Sequence, residues 1–423
     1  MTNCSPGDPR SRKLREDCKD KTREALRRLG LTQVGLGERA DIYAASTISN
    51  FFCCKPVLRA NFYRFCDLLS LDPEEIGERP SATLPPEQQA DANCNIPRTD
   101  EIGWYQRLLE NHSLIRIQAP VQFGKTLLMS RMLNHAKQQG HLSLYVTLNG
   151  IDTNSFGDAP TFFRNFICEI GNELEDSYDA QLMPIDEYDT YVKKLGSIKA
   201  VVKYLGYFQK SIDRPFTLGI NKLDRLLDDP QNVDTAAEFL RMFRLMHETS
   251  KTDKNWSQFR LILAYSTPRF EDFIPMSNSE SPFNVGSSLF VCEFNPDEVA
   301  ELAVKKGLAL DKRQIQLLMQ SIGGIPSLVQ LTLNTLRERG VPLLADSTAI
   351  SSIYQDHLEV LASYLKSRGL ASMMKQIATS ETGVKMLDDI ELSLLCRRGL
   401  IIKMNDGQIL PRCELYRHFF AKE

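Results

Sequence analysis

Long apolar runs are absent from this 423-residue chain: no stretch of about 18 apolar residues occurs, so no membrane span is predicted. The first residues, Met1 to Lys13, are polar and contain no apolar signal core, so export is not predicted either. None of the ten cysteines stands at C-x-x-C spacing, and the six histidines form no ligand pattern. These absences disfavour a disulfide framework and a zinc site, and we expect a cytoplasmic protein with reduced thiols.

A large excess of charge of one sign is also missing. The formal net charge is −3, so any contact with nucleic acid would need a local basic patch. Hydrophobic residues make up 42% and charged residues 25% of the chain, as in ordinary globular proteins. A chain of this length is expected to form two or three domains.

Changes in composition along the chain mark the expected domain boundaries. Residues 1–19 are charged and are predicted to form a disordered basic arm. Residues 20–79 show short helical patterns, and residues 80–98 are rich in proline, as in semi-rigid linkers. From 99 to 294, strands alternate with helices, which predicts an α/β domain with a parallel sheet covered on both faces. Helical patterns dominate residues 295–340.

Apolar periodicity predicts the individual elements. The predicted strands are Leu114–Gln118, Leu142–Leu148, Phe216–Ile220 and Leu261–Tyr265. The predicted helices are Lys125–Gln138, Pro160–Glu175, Pro296–Lys306, Lys312–Ser321, Pro326–Arg337 and Ser351–Lys366. An Asn-Asp-Gly turn between Leu400 and Leu410 predicts a hairpin near the carboxyl end.

A phosphate-binding loop is predicted between the first strand and the first helix of the α/β domain. The segment fits Gly-x-x-x-x-Gly-Lys-Thr with alanine in the first position, and it reads Ala119-Pro120-Val121-Gln122-Phe123-Gly124-Lys125-Thr126. Backbone N–H groups and the helix start would bind the phosphates of ATP or ADP. Lys125 would reach the outer phosphates, and the Thr126 hydroxyl would bind Mg²⁺. The Lys125 ammonium should point into the phosphate site rather than into the core, so Lys125 is expected to contribute little to stability.

The strand that should carry the hydrolytic acids has lost them. For phosphoryl transfer, P-loop NTPases use an apolar strand that ends in Asp, often followed by Glu. The candidate strand Phe216–Ile220 is followed by Asn221 and Lys222. Asn221 could still bond a metal-bound water, but a protonated Lys222 cannot act as a base. Alternatively the acid is displaced, with Asp224, Asp228 and Asp229 close by.

Two further segments could sense the nucleotide. Ser266 and Thr267 end the strand Leu261–Tyr265, where a hydroxyl lies beside the γ-phosphate in this class, although turn chemistry also favours hydroxyls at strand ends. Pro326, in Gly323-Gly324-Ile325-Pro326, either brings a helix start to the nucleotide base or is an ordinary first-turn proline.

From about Thr99 onward, the chain resembles the bacterial AAA-like ATPase family related to the STAND signalling NTPases. Besides the phosphate loop, the matching segments are Leu223-Asp224-Arg225-Leu226, Tyr265-Ser266-Thr267, Ser281-Pro282-Phe283-Asn284-Val285-Gly286, Gly323-Gly324-Ile325-Pro326-Ser327-Leu328-Val329 and Cys413-Glu414-Leu415-Tyr416-Arg417. The resemblance implies a P-loop NTPase sheet, a helical lid over 295–340 and a winged helix over 341–423. Alanine is usual at the position of Ala119 in that family, whereas Asp-Glu is usual in place of Asn221-Lys222, so hydrolysis is in question.

Residues 20–79 resemble a helix-turn-helix domain of the phage-repressor type. The resemblance implies that Thr32 caps the second helix and that a recognition helix runs from about Ala44 to Phe52. This helix has few base-reading side chains, whereas residues 10–28 are rich in Lys and Arg and would contact the DNA backbone. The residues assigned to duplex DNA binding through 1–80 are Thr32, Gln33, Ala44, Ala45, Ser46, Thr47, Ser49, Asn50, Arg23, Arg27 and Arg28. The alternative is a protein-docking module behind a solvated tail.

Together these features predict a nucleotide-dependent regulatory switch that binds DNA and hydrolyses ATP slowly or not at all. A working ATPase with a displaced acid and a nucleotide-free interaction scaffold remain alternatives. A homo-oligomer or a protein partner is compatible with each hypothesis, and no membrane partner is expected.

Overall fold

The chain divides into two units, Met1–Cys94 and Asn95–Glu423. The computed structural model describes residues 11–15, 18–40, 45–55, 57–69, 71, 76–77, 100–178, 182–227, 230–266, 284–340, 353–385 and 390–423. The predicted linker, 80–98, lies outside the described residues. Among the helices that are described, none is long and apolar enough to cross a membrane.

The first unit is a small helical domain with one short two-stranded ladder. Its elements are β1 (Ser11–Arg12), α1 (Lys19–Arg28), α2 (Gln33–Arg39), α3 (Ala45–Phe52), β2 (Val57–Leu58) and α4 (Arg59–Leu69). The Thr32 hydroxyl accepts a hydrogen bond from the Gly35 N–H at 3.0 Å, which caps α2 as expected. Phe51 of α3 packs on Phe62 and Phe65 of α4, with ring centroids 5.3 and 5.0 Å apart. This aromatic cluster is the centre of the unit's core.

Residues 11–15 are ordered against the first unit, contrary to the expectation of a disordered arm. Ser11 and Arg12 pair antiparallel with Leu58 and Val57 of β2, and Leu14 is fully buried. Leu14 is the one large apolar side chain among these charged residues, and burying it removes apolar surface from water. Arg12 also packs its guanidinium 5.6 Å from the centre of the Phe62 ring. The first ten residues lie outside the described residues.

The second unit is built on a five-stranded parallel sheet in the order β4-β5-β6-β3-β7. The strands are β3 (Leu114–Gln118), β4 (Leu142–Thr147), β5 (Phe216–Asn221), β6 (Phe259–Tyr265) and β7 (Ser287–Phe290). The helices before and between them are α5 (Glu101–Leu109), α6 (Lys125–Gln138), α7 (Ala159–Ser177), α8 (Ile185–Leu195), α9 (Ser197–Ser211), α10 (Asp224–Leu227) and α11 (Val233–Thr252).

Strand order places the carboxyl end of β3 at a switch point of the sheet. The chain leaves β3 for β4 at one edge, whereas β7 joins the other side of β3. In open parallel sheets, ligands bind where the connections diverge in this way. Gln118 of β3 pairs with Tyr265 of β6, and Thr147 of β4 pairs with Asn221 of β5. The residues that follow these strands therefore meet at one end of the sheet.

Successive residues of the central strands enter two different cores. On β6, Ile262 and Ala264 join a core with α6, whereas Leu261 and Leu263 join a core with α7, α9 and α11. This alternation explains why the predicted strands are almost continuously apolar.

Helices and a hairpin complete the second unit. They are α12 (Pro296–Lys305), α13 (Lys312–Ile322), α14 (Pro326–Arg339), α15 (Gln355–Ser367), α16 (Ala371–Thr379), α17 (Ile390–Arg397), β8 (Ile401–Lys403), β9 (Ile409–Pro411) and α18 (Glu414–Phe420). Val384 bridges Ile409 and adds a third strand segment to the hairpin, as in a winged helix. Residues of these elements share one core with β3 and α6. The predicted α/β class and parallel sheet are confirmed.

Some elements were not assigned from the sequence. Strand β7 begins with two serines and lies at the sheet edge, where its side chains are mostly half-buried or exposed, so it lacks the apolar run that marks the other strands. The helices α8, α9 and α11 were likewise not assigned. Residues 341–352, where the winged helix and the helix at Ser351 were expected to begin, lie outside the described residues.

Candidate functional site

The loop between β3 and α6 has the backbone conformation that the motif predicts. Gly124, just before α6, has φ 85° and ψ 18°, a left-handed conformation that suits glycine. Gln122 also has a positive φ of 72°, which is rare for a residue with a side chain. Left-handed residues in a loop before a helix turn successive N–H groups towards a common point, where an anion can bind.

Lys125 is held inside this loop. Its Nζ donates to the Ala119 carbonyl at 2.9 Å, to the Pro120 carbonyl at 2.8 Å and to Ser266 Oγ at 3.1 Å. The residue is 9% exposed. Burial lowers the pKa of Lys125 to about 8; the Asp224 carboxylate opposes this shift, and the charges of Lys222 and Arg397 add to it. The ammonium is therefore confined to the end of the sheet.

Ser266 joins the loop lysine to an acid. The Ser266 N–H donates to Asp224 Oδ1 at 2.6 Å, and its hydroxyl donates to Asp224 Oδ2 at 3.1 Å. The same hydroxyl accepts from Lys125, so a chain of hydrogen bonds runs from Lys125 through Ser266 to Asp224. The sequence placed Ser266 beside the phosphates, and the structure places it beside the loop lysine. Thr267, Asp228 and Asp229 lie outside the described residues.

Asn221 faces the first turn of α6. Its Nδ2 donates to Thr126 Oγ1 at 2.9 Å and to the Tyr145 hydroxyl at 2.7 Å, and the residue is 2% exposed. Tyr145, on β4, was not among the predicted site residues. A tyrosine in a buried strand is ordinary, and only the pairing of β4 with β5 brings it to Asn221. Lys222 follows Asn221 with φ 62° and an exposed side chain.

Carboxyl-terminal residues contact the other side of the loop. The Val121 N–H donates to the Arg397 carbonyl at 2.8 Å. Gly399 has φ 76°, and a Cβ there would lie 3.3 Å from Pro120 Cβ and 3.4 Å from the Phe123 ring. The Phe123 ring is buried in the shared core, with the Arg412 guanidinium 5.3 Å from its centre. Phe123 therefore contributes backbone, rather than its side chain, to any anion site.

The predicted helix start at Gly323-Gly324-Ile325-Pro326 also reaches the loop. Pro326 is the first residue of α14 and is buried, and the next residue, Ser327, donates its hydroxyl to Gln122 Oε1 at 3.3 Å. Gln122 Nε2 lies 3.4 Å from His357 Nδ1, and His357 Nε2 lies 3.1 Å from the Tyr416 hydroxyl. These contacts hold Gln122 in its left-handed conformation. Sequence reasoning missed His357, Arg397 and Gly399, which carry no motif of their own.

The side chains around Thr126 determine whether a magnesium ion could bind there. Thr126 Oγ1, the expected ligand, accepts the hydrogen bond from Asn221, and both oxygens of Asp224 accept from Ser266. Among the described residues, no cluster of three or more His, Cys, Asp or Glu side chains could hold a metal ion. Mg²⁺ prefers at least one carboxylate oxygen among its protein ligands. Among the described residues, the amide of Asn221 rather than a carboxylate contacts Thr126, so these residues do not fit the magnesium ion that the sequence led us to expect.

The residues assigned to DNA binding lie on the first unit. Arg23, Arg27 and Arg28 are exposed on α1, which packs on α3. Thr32, Gln33 and Ser49 are exposed, and Thr47 and Asn50 are half-buried on α3. Ala45 and Ser46 begin α3, and Ala44 lies outside the described residues. The Thr32 hydroxyl is already engaged as the cap of α2.

A parallel sheet with a lysine-bearing loop at its switch point defines a P-loop NTPase fold. Residues 86–422 match the protein family described as the AAA-like domain, which spans most of the chain. The protein belongs to this family. No curated protein sequence matches the chain.

Several solved structures are similar to this chain at low sequence identity. The Walker-type ATPase PABY2304 of Pyrococcus abyssi is 13% identical, with a TM-score of 0.53 over 76% of this chain and 94% of that chain. The ORC2 protein of Aeropyrum pernix, in ADPNP–ADP complexes, is 13% identical with a TM-score of 0.39 over 81% and 96% of the two chains. AMPPCP-bound DnaA from Aquifex aeolicus is 16% identical with a TM-score of 0.37 over 66% and 72%. The first of these similarities supports the fold.

Proposed function

We propose that this protein is a nucleotide-dependent regulatory switch that binds ATP or ADP at Ala119–Thr126 and hydrolyses ATP slowly or not at all. The observation that carries the proposal is the placement of Lys125. Its ammonium donates to two carbonyls of the loop that follows β3 and to Ser266, which follows β6. Left-handed Gly124 lies next to it in the loop. This arrangement combines a charged donor with a helix start, which suits the outer phosphates of a nucleotide.

Slow hydrolysis is inferred from the end of β5. Phosphoryl transfer depends on positioning and on neutralising developing charge, which acidic residues at this strand end normally support. Here the strand ends in Asn221, whose amide donates to two hydroxyls, and in the cationic Lys222. Asp224 is near, but Ser266 occupies both of its carboxylate oxygens.

Switching is inferred from the contacts that the carboxyl-terminal elements make with the loop. Val121, Gln122 and Phe123 each contact residues of the lid or the winged helix. A nucleotide that enters this loop would act directly on those contacts. The nucleotide changes the populations of two arrangements of lid and loop if it binds one of them more tightly than the other.

The first unit is proposed to bind duplex DNA, mainly through contacts with the sugar–phosphate backbone of the DNA. The support is the exposed Arg23, Arg27 and Arg28 on α1, packed against α3, which is poor in base-reading side chains. A protein-docking role is the alternative. It predicts that no DNA duplex is retarded in a gel-shift assay at low salt.

The nucleotide proposal is tested by a binding titration with purified full-length protein, together with analysis of any nucleotide that co-purifies. Lys125→Ala should abolish binding, whereas Lys137→Ala, an exposed lysine near the end of the same helix, should leave affinity unchanged. A parent protein that binds no adenine nucleotide would favour the interaction-scaffold alternative.

A second candidate, a working ATPase that uses Asp224, is favoured by the hydrogen-bond chain from Lys125 to that carboxylate. Phosphate release distinguishes it from the switch. A parent rate of about 1 per second, ordinary for enzymes, that falls in Asp224→Asn would support the ATPase. If the switch is correct, the parent rate is negligible and Asn221→Asp/Lys222→Glu raises it.

A further inference from the structure

The charges around Lys125 are mostly positive. Lys222 and Arg397 both lie close enough to lower its pKa, and Asp224 is the carboxylate that opposes them. Arg397 is 4% exposed, and its carbonyl accepts the hydrogen bond from the loop residue Val121. Three cationic groups and one carboxylate thus lie near one another at the end of the sheet. Such a surplus suits a polyphosphate, whose several negative charges need neutralising.

The position where a magnesium ion would lie is instead lined by donors. The amide Nδ2 of Asn221 points at Thr126 Oγ1 rather than offering an oxygen to a cation. The following residue, Lys222, carries a positive charge and adopts a left-handed backbone at the end of β5. A divalent cation placed here would be repelled by Lys222 and would meet the amide of Asn221 where a carboxylate would otherwise bind it.

We propose that this site binds the triphosphate of ATP without a divalent cation and that Lys222 supplies the positive charge that magnesium provides elsewhere. The inference rests on the proposed nucleotide site. Lys222 follows Asn221, whose amide Nδ2 donates at 2.9 Å to the hydroxyl of Thr126, the residue after Lys125. This hydrogen bond leaves the Thr126 hydroxyl proton available to a phosphate oxygen. The two lysines and the Thr126 hydroxyl would then all donate to the outer phosphates.

The test is a calorimetric titration of the full-length protein with ATP, once in excess EDTA and once in excess Mg²⁺. The parent dissociation constant should differ by less than about threefold between the two buffers. A parent that binds ATP more than about tenfold tighter with Mg²⁺ would overturn the inference and leave the proposed function intact. Absence of binding in both buffers would overturn the proposed function itself.

Three substitutions locate the charge. Lys222→Gln should weaken binding in EDTA about tenfold, the loss of one charge-assisted contact, whereas Lys222→Arg should retain affinity. Lys193→Gln, at an exposed lysine of α8, is the matched control and should have no effect. An unchanged affinity for Lys222→Gln would also overturn the inference.

An aspartate at position 221 should make the affinity for ATP depend on Mg²⁺. In Asn221→Asp/Lys222→Gln, the Thr126 and Tyr145 hydroxyls can both donate to the new carboxylate, so the variant is expected to fold, which circular dichroism and a melting curve check. Its affinity for ATP should rise at least about tenfold when Mg²⁺ replaces EDTA. A folded double variant that is indifferent to Mg²⁺ would contradict the role assigned to these two positions.

Discussion

Raising the pH from 7 to 9 should weaken ATP binding, because the nucleotide-free protein loses the charge on Lys125 over this interval. Burial lowers the pKa of this lysine from its ordinary value of 10.5 to about 8. Asp224, Lys222 and Arg397 are the charged groups that act on it, and the first opposes the shift while the other two add to it. A phosphate group favours the charged form, so bound ATP should raise the pKa again.

The sign and size of the effect follow from this linkage. At pH 7 and below, the lysine is already almost fully charged, so binding takes up little proton there. With a pKa of about 8, roughly nine-tenths of the side chain is protonated at pH 7 and roughly one-tenth at pH 9. Affinity should therefore fall about tenfold between pH 7 and pH 9, with up to about one proton taken up per ATP bound at pH 9.

Calorimetric titrations at pH 7, 8 and 9, each in two buffers of different ionisation heat, would measure both the affinity and the number of protons. Lys137→Ala, an exposed lysine of the same helix, should keep the parent profile. An affinity that stays constant from pH 7 to pH 9, with no proton uptake, would refute the placement of the phosphates at Lys125.

Three further predictions concern stability, the loop contact and the first unit. Lys125→Ala should lower the free energy of unfolding by about 1–3 kcal/mol in denaturant melts, contrary to the small effect expected from sequence, because the buried Ala119 carbonyl loses its donor. Gly399→Ala and Gly307→Ala should each lose about 1 kcal/mol, since both glycines are left-handed, but only the former should change nucleotide affinity, because it crowds Pro120. Equal affinities in the two variants would argue against coupling between the winged helix and the loop. Replacing three exposed arginines of α1 by alanine should weaken binding to every duplex in gel-shift assays and reduce the salt slope. Those arginines are Arg23, Arg27 and Arg28.

The local features of the site could be predicted from the sequence. The bounds expected for β3 and α6 agree with those observed, Leu114–Gln118 and Lys125–Gln138. An apolar run, a glycine that permits a left-handed turn and a stretch of good helix formers act over a few residues, so neighbouring residues suffice to specify them. The loss of acids after β5 is visible in the same local way.

Only the tertiary structure decided which distant residues meet the loop. Ser266 lies 141 positions from Lys125 along the chain, yet its hydroxyl accepts the Lys125 hydrogen bond. Arg397 and Gly399 reach Pro120 and Val121 from the carboxyl-terminal helices, and no motif distinguishes them. These contacts arise because parallel strands bring residues from separate crossovers to one sheet end, and because a shared apolar core holds the winged helix against it. Sequence patterns determined the loop, whereas packing of the whole domain determined the charges and contacts around it.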